Sequence, residues 1–187
     1  AKPLAADAPL PAGFAAQRFV GSYLHSDGHG SLRLAVDPKG GLRMHIGTGN
    51  SLLRPAAADA LQNATGTLRL QLQAGDGELV LSRRADPGRV ERFVRLPEFK
   101  AEARDLASLA GSYRHKALGA DLRLQLRDGA LVAIAGADPE PRPLQLLGAD
   151  LLAGPGLVLR IERDRQGLLQ SLVYSSERVR GLRYERD

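Results

Sequence analysis

The pentapeptide Phe19-Val20-Gly21-Ser22-Tyr23 recurs as Leu109-Ala110-Gly111-Ser112-Tyr113, 90 residues further on. A recurrence at fixed spacing means that one structural unit is built twice, so any fold must accommodate two copies. The correspondence continues along both halves. Leu32–Val36, then Gly40-Gly41-Leu42-Arg43-Met44, then the run near Leu52 answer to Leu122–Leu126, Asp128-Gly129-Ala130-Leu131-Val132 and Arg142–Leu147. Leu68–Leu72, Leu79–Leu81 and Val90–Val94 answer to Val158–Ile161, Leu168–Val173 and Val179–Tyr184. Gly77 and Gly167 again stand 90 apart.

Within each half the pattern is period two. Leu32, Leu34 and Val36 alternate with Arg33 and Ala35; Leu122, Leu124 and Leu126 alternate with Arg123, Gln125 and Arg127. Such alternation gives a strand one buried and one wet face. Turn signals separate the runs: Asp37-Pro38-Lys39-Gly40-Gly41, Gly75-Asp76-Gly77, Asp86-Pro87-Gly88, Asp128-Gly129 and Asp164-Arg165-Gln166-Gly167. Asp-Gly between apolar runs favours a tight antiparallel hairpin, because glycine accepts positive φ. Helical signals are short, at Ala12–Arg18 and Asp105–Leu109, with Asp105 the expected N-cap. Asn50–Thr65 and the proline-rich Ala135–Pro143 read as irregular, the latter as a stiff extended loop or an edge.

A meander of about eight short strands closes on itself and leaves no edge. The expectation is therefore an all-β chain of two small antiparallel up-and-down barrels in tandem. Residues 1–13 form an N-terminal linker, 14–97 the first barrel, 98–107 a linker and 108–187 the second barrel. The structural rival is one sandwich or one larger barrel shared by both halves.

Composition narrows the function classes. The apolar fraction is 43% with 4% aromatics and no Trp, so Leu and Val must fill the interior. The absence of Cys excludes disulfides, thiolate nucleophiles and zinc–thiolate sites. No apolar run approaches the length of a membrane span, and no intact secretory signal is legible. The net charge of +5 is spread over both halves, and acidic residues stand between the basic ones. Arg183, Tyr184 and Arg186 therefore read as a solvated strand face, and neither nucleic acid nor a membrane is an expected partner. Localisation stays open between cytoplasm and periplasm. Because residue 1 is Ala, the chain is expected to be a mature product or an excised piece.

Chemical motifs are sparse. The four histidines are His25, His29, His45 and His115. His25, Asp27 and His29 have the donor types of a nitrogen/oxygen metal site, but the plainer reading is a polar hairpin turn, and no metal is expected. Neither Gly-x-Ser-x-Gly nor Ser-x-x-Lys occurs, because none of Lys2, Lys39, Lys100 and Lys116 has Ser three residues earlier. Asp76/Glu78 and Glu162/Asp164 read as turn caps. Gly47-Thr48-Gly49-Asn50 lacks the following helix that a phosphate cradle needs. Asn63-Ala64-Thr65 matches the glycan acceptor pattern. Arg83-Arg84 and Arg178–Arg183 read as strand-face solvation. No catalytic residue and no cofactor are assigned.

Leu109–Tyr113, Leu122-Arg-Leu, Asp128–Val132, Leu159–Asp164 with Gly167, and Val179–Tyr184 together resemble the C-terminal lipocalin-like domain of the penicillin-recognising serine hydrolases. These include class C β-lactamase-related enzymes, bacterial D-aminopeptidases and esterases. The first half resembles a second, diverged copy, and the resemblance covers Phe14 to Asp187. It implies that both lipocalin-like barrels follow a catalytic domain of the same parent polypeptide, whose Ser-x-x-Lys motif lies upstream of Ala1. That domain is then the expected partner, with a homo-oligomer formed through the parent. The resemblance also implies a loop of the last barrel that reaches the active-site cleft. Candidates for it are Asp138, Pro139, Glu140, Pro141 and Arg142, and next the Gly148–Gly156 segment. The expected function is thus packing on the catalytic domain and shaping substrate access. The alternatives are a stand-alone lipocalin-like module for a small apolar ligand, and an independent hydrolase pairing His25 or His115 with a remote Ser.

Overall fold

The computed structural model describes residues 10–187 except Lys39, Asp76 and Ala137, together with the backbone but not the side chains of Asp138 and Pro139. A 3-10 turn at Ala16–Arg18 leads into β1 (Gly21–His25), β2 (Ser31–Val36), β3 (Leu42–Ile46), β4 (Gly49–Ala57), β5 (Ala60–Asn63), β6 (Leu68–Leu72), β7 (Glu78–Arg83) and β8 (Asp86–Arg95). Helix α1 (Ala103–Leu109) then precedes β9 (Gly111–His115), β10 (Ala120–Arg127), β11 (Ala130–Ala135), β12 (Asp138–Gly148), β13 (Leu151–Gly154), β14 (Leu157–Arg163), β15 (Leu169–Ser175) and β16 (Leu182–Arg186).

Each set of eight strands is a closed barrel in which successive strands pair antiparallel. Closure is made by β1 against β8, with Leu24 opposite Val94, and by β9 against β16, with Tyr113 opposite Arg186. The chain divides into two compact units, the first ending at Leu96 and the second running on from Pro97, with residues 28–30 counted in the second. A single sandwich or shared barrel is thereby excluded. Residues 103–107, expected as linker, form most of α1, whose Leu109 belongs to the second core.

The interiors are filled by the barrels' own side chains. Leu32, Leu42, Leu53, Leu61, Leu70 and Leu79 are fully buried in one cluster with Phe19 and Tyr23. Leu131, Leu152, Leu159 and Leu172 do the same in the other with Tyr113. Full burial of one such side chain stabilises by roughly 1.5–3 kcal/mol. Val36 and Leu126 are corrections to the alternation: both are over 40% exposed. Each lies in one of the last two residue pairs before its hairpin turn, opposite a leucine that is itself buried.

Several turn expectations are met and others change. Asp128 and Gly129, at φ 49° and 78°, form the two-residue turn between Arg127 and Ala130. Asp86-Pro87-Gly88 is not the turn; Arg83 pairs with Asp86 around a two-residue loop, and the register then shifts before Ser82 meets Val90. Asp105 is not the N-cap of α1 either. Glu102 holds that position, and its N–H donates to the Asp105 carboxylate at 3.0 Å.

Asn50–Thr65, expected to be irregular, is largely strand, and of the two readings of the proline-rich segment, stiff loop or edge, the edge is the one observed. Most of Asn50–Thr65 lies in β4 and β5, and Asp138–Pro143 opens β12. Both β4 and β12 are long strands that change partners midway. β4 pairs with β3 up to Leu53 and with β5 from Leu53 on, while β12 pairs with β11 up to Leu144 and with β13 from Gln145 on. A strand paired on one side at a time has a free edge along each half. That is where Pro55 and the prolines of β12 are tolerated.

Candidate functional site

The recurrent Gly-Ser-Tyr motif is the core of a device built twice. Tyr23 sits inside the first barrel, and its hydroxyl donates to the Phe19 carbonyl at 2.8 Å. Tyr113 does the same to Leu109 at 2.6 Å. From the last strand of each barrel an arginine returns to this point. Arg95 donates to the carbonyls of Val20, at 2.9 Å, and of Arg18, and its guanidinium lies over the Tyr23 ring. Arg186 donates to Ala110 at 2.9 Å and to Ser108 at 3.3 Å, and lies over Tyr113. A Cβ on Gly21 or Gly111 would come within 3.4 Å of these guanidinium groups, so the glycine leaves room for the arginine. The carbonyls left open where the chain enters the barrel are thus satisfied by one multidentate donor. Arg95 and Arg186 were missed in the sequence, although the repeated aromatic-x-Arg of Phe93-Val94-Arg95 and Tyr184-Glu185-Arg186 signalled them.

The second cluster lies at the β1–β2 hairpin. His25, Asp27 and His29 each offer a ligand atom, and these atoms all lie within 4.8 Å of one another. Both imidazoles are buried and the carboxylate is exposed. His25 ends β1, its Nδ1 accepts the Asp27 N–H at 3.1 Å, and its ring meets Phe93 edge-on. His115 is its counterpart at the end of β9: Nδ1 accepts the Leu118 N–H at 3.3 Å and the ring meets Tyr184 edge-on. The histidine at the end of each first strand therefore serves the hairpin in both barrels.

The other sequence candidates fall into structural places. Asp138, Pro139, Glu140, Pro141 and Arg142 lie on β12, with Glu140 and Arg142 exposed before the pairing with β13 begins. Gly148–Gly156 is a strand pair rather than a loop, because β13 occupies Leu151–Gly154. His45 is exposed on β3. Asn63 pins its own hairpin, donating to Thr67 Oγ1 at 2.9 Å and accepting the Leu68 N–H at 3.1 Å. Glu78 pairs with Arg92, Glu162 with Arg183 and Arg83 with Glu91; Asp164 accepts the N–H groups of Gln166 and Leu168 in its turn. Asp76 lies outside the described residues. Two serine hydroxyls are used structurally: Ser171 donates to Glu162 at 2.5 Å and Ser108 to the Asp105 carbonyl at 2.7 Å. A groove lined by Pro11, Phe14, Arg18, Pro55 and Ala58 runs between the entry segment and the β4–β5 turn.

Several acid–base groups of the second barrel are shifted. The hydrogen bond from Arg114 holds the Asp121 carboxyl below its ordinary range, and Lys116 does the same for Glu185. Burial pushes the Tyr113 phenol up, against the opposing charge of Arg186. Burial also raises Tyr184. These are ion-pair and core effects, not the opposed acid and base of a catalytic pair.

No protein-family model and no curated protein sequence matches this chain. Fold and side chains define a tandem β-barrel protein with packed interiors and a duplicated tyrosine–arginine closure. No helix among the described residues is long and apolar enough to cross a membrane.

Proposed function

We propose that this chain is the non-catalytic, C-terminal tandem-barrel region of a D-aminopeptidase-like serine hydrolase, which packs on the catalytic domain and shapes substrate access. The observation that carries the reading is the filling of both barrels by their own leucines. A barrel with a packed core acts through its outer surface, as an accessory domain does. The alternative of a binding module for an apolar ligand needs a calyx where these side chains stand. The independent-hydrolase alternative finds His115 engaged with the Leu118 amide and Tyr184.

The resemblance rests in part on Leu109–Tyr113, which the structure uses to close the second barrel, and in part on the strands that follow. Within that reading, Glu140 and Arg142 are the exposed groups best placed to meet a neighbouring domain, because β12 is paired on one side only there. The coding frame upstream of Ala1 provides the test. A Ser-x-x-Lys domain encoded there supports the proposal, and an unrelated domain or an immediate start codon overturns it. With the whole parent expressed, Glu140→Ala with Arg142→Ala is expected to change KM for D-amino-acid amides and leave kcat close to the parent value.

A further inference from the structure

We propose that the β1–β2 hairpin binds one divalent transition-metal ion through His25, Asp27 and His29. This inference is independent of the function proposed above. Two imidazoles and one carboxylate form a nitrogen-rich donor set that suits zinc, nickel, cobalt or copper rather than calcium or magnesium. Three protein ligands leave a fourth position for water. The three ligand atoms already lie within 4.8 Å of one another, and it is the one cluster of this kind found among the described residues. A tetrahedral ion with bonds near 2.0–2.1 Å brings its ligands to about 3.4 Å apart. Loading therefore draws the hairpin in by a small amount.

The internal repeat supplies the control. His115 makes the same two contacts as His25, an accepted backbone N–H and an edge-on aromatic neighbour. Its hairpin, however, continues Lys116-Ala117-Leu118-Gly119, with no second histidine or carboxylate and with a cation at the first position. The second copy thus forms its hairpin with the histidine alone. Asp27 and His29 are additions in the first copy, and they convert the same scaffold into a three-ligand set. His25 also has a structural task to give up: its Nδ1 now accepts the Asp27 N–H. A metal at Nδ1 replaces that hydrogen bond. A metal at Nε2 requires the ring proton to move to Nδ1, which breaks it too. Either way binding is coupled to the turn and competes with protons, because the ligand nitrogen must be unprotonated.

The test uses the tag-free full chain after chelator treatment. It is titrated separately with Zn²⁺ and Co²⁺ and followed by calorimetry, by visible Co²⁺ absorption and by melting temperature. One ion per chain, tetrahedral-type Co²⁺ absorption and a raised melting temperature are expected. His29→Gln and Asp27→Asn keep His25 and its hairpin, and each is expected to weaken binding by about tenfold or more, since even partners behind the ligands are worth this much. Their melting temperatures without metal report whether they fold, and His45→Gln, on β3, should bind as the parent does. No saturable one-to-one binding up to about 1 mM metal overturns the proposal. So does unchanged affinity in folded His29→Gln and Asp27→Asn, or binding lost on His45→Gln.

Discussion

The guanidinium of Arg95 stands 5.0 Å from the centre of the Tyr23 ring and donates to the phenol oxygen at 2.6 Å. The Tyr23 hydroxyl in turn donates to the Phe19 carbonyl, so last strand, first strand and entry turn are tied at one point. Arg95→Ala leaves the Val20 and Arg18 carbonyls without this donor and is expected to cost about 1.5–3 kcal/mol, the range for hydrogen bonds to a charged group. Arg95→Lys should recover only part of that, because one ammonium cannot reproduce a planar fork over a ring. Urea denaturation of both variants checks the order parent, Lys, Ala. The same order is expected at Arg186, whose guanidinium lies 6.0 Å from the centre of the Tyr113 ring.

The packed interiors make a second prediction. Leu70 and Leu159 are fully buried, one in each barrel. Leu→Ala at either position is expected to destabilise by about 2–5 kcal/mol, because a cavity is left among neighbours that relax only in part. A ligand-binding calyx would tolerate such a change at its lining. Full retention of the denaturation midpoint in both variants would contradict the packed-core description.

Gly154, on β13, has no room for a side chain. A Cβ there would stand 2.8 Å from the Pro143 carbonyl oxygen and 2.8 Å from Leu144 Cδ2. The leucine methyl can swing aside, but the carbonyl belongs to the strand. Gly154→Ala is expected to lower stability by about 1–3 kcal/mol, the usual range for overpacking. Gly156→Ala probes another glycine in the same region, at φ 74° with nothing within 4 Å of the new Cβ, and so isolates backbone strain from contact. Thermal melts of the pair separate the two causes.

The pH dependence follows from Asp121 and Glu185. Both carboxyls are held below their ordinary values of 3.8 and 4.5 by Arg114 and Lys116. A depressed folded-state value means that the unfolded chain binds protons first as pH falls. The stabilisation is complete above the ordinary values and is lost as pH drops below them and through the lower folded-state values. Both pairs are on the surface, so the effect is modest and salt-sensitive. Tyr113 works at the other end: burial raises its phenol, so the stabilisation is present below 10.0 and is lost as pH rises beyond it through the folded-state value. Denaturation midpoints measured across both ranges should show these two slopes. Asp121→Asn should flatten the acid limb and Tyr113→Phe the alkaline one.

The architecture was legible because its causes are local. Period-two leucines, Asp-Gly turns and the 90-residue recurrence point to antiparallel strands in two copies, and two closed barrels satisfy all three. Legibility failed where one strand borrows its partners in turns. Asn50–Thr65 read as irregular and the prolines of β12 as a stiff loop or an edge, since a proline is costly inside a ladder; the free edges of β4 and β12 make these prolines acceptable within strands. Val36 and Leu126 continue the alternation to the strand ends, yet both side chains are exposed there.

The sequence by itself determined the number of units, the strand character and the absence of thiol or Ser-x-x-Lys chemistry. Tertiary structure alone decided which distant groups meet. Arg95 reaches Tyr23 across 72 residues, and that pairing exists only once the eighth strand has closed on the first. His25, Asp27 and His29 were visible as neighbours in sequence, yet whether a turn splays or gathers their ligand atoms depends on its backbone dihedrals. Local alternation sets which face of a strand is apolar, whereas closure of the barrel sets what stands opposite it.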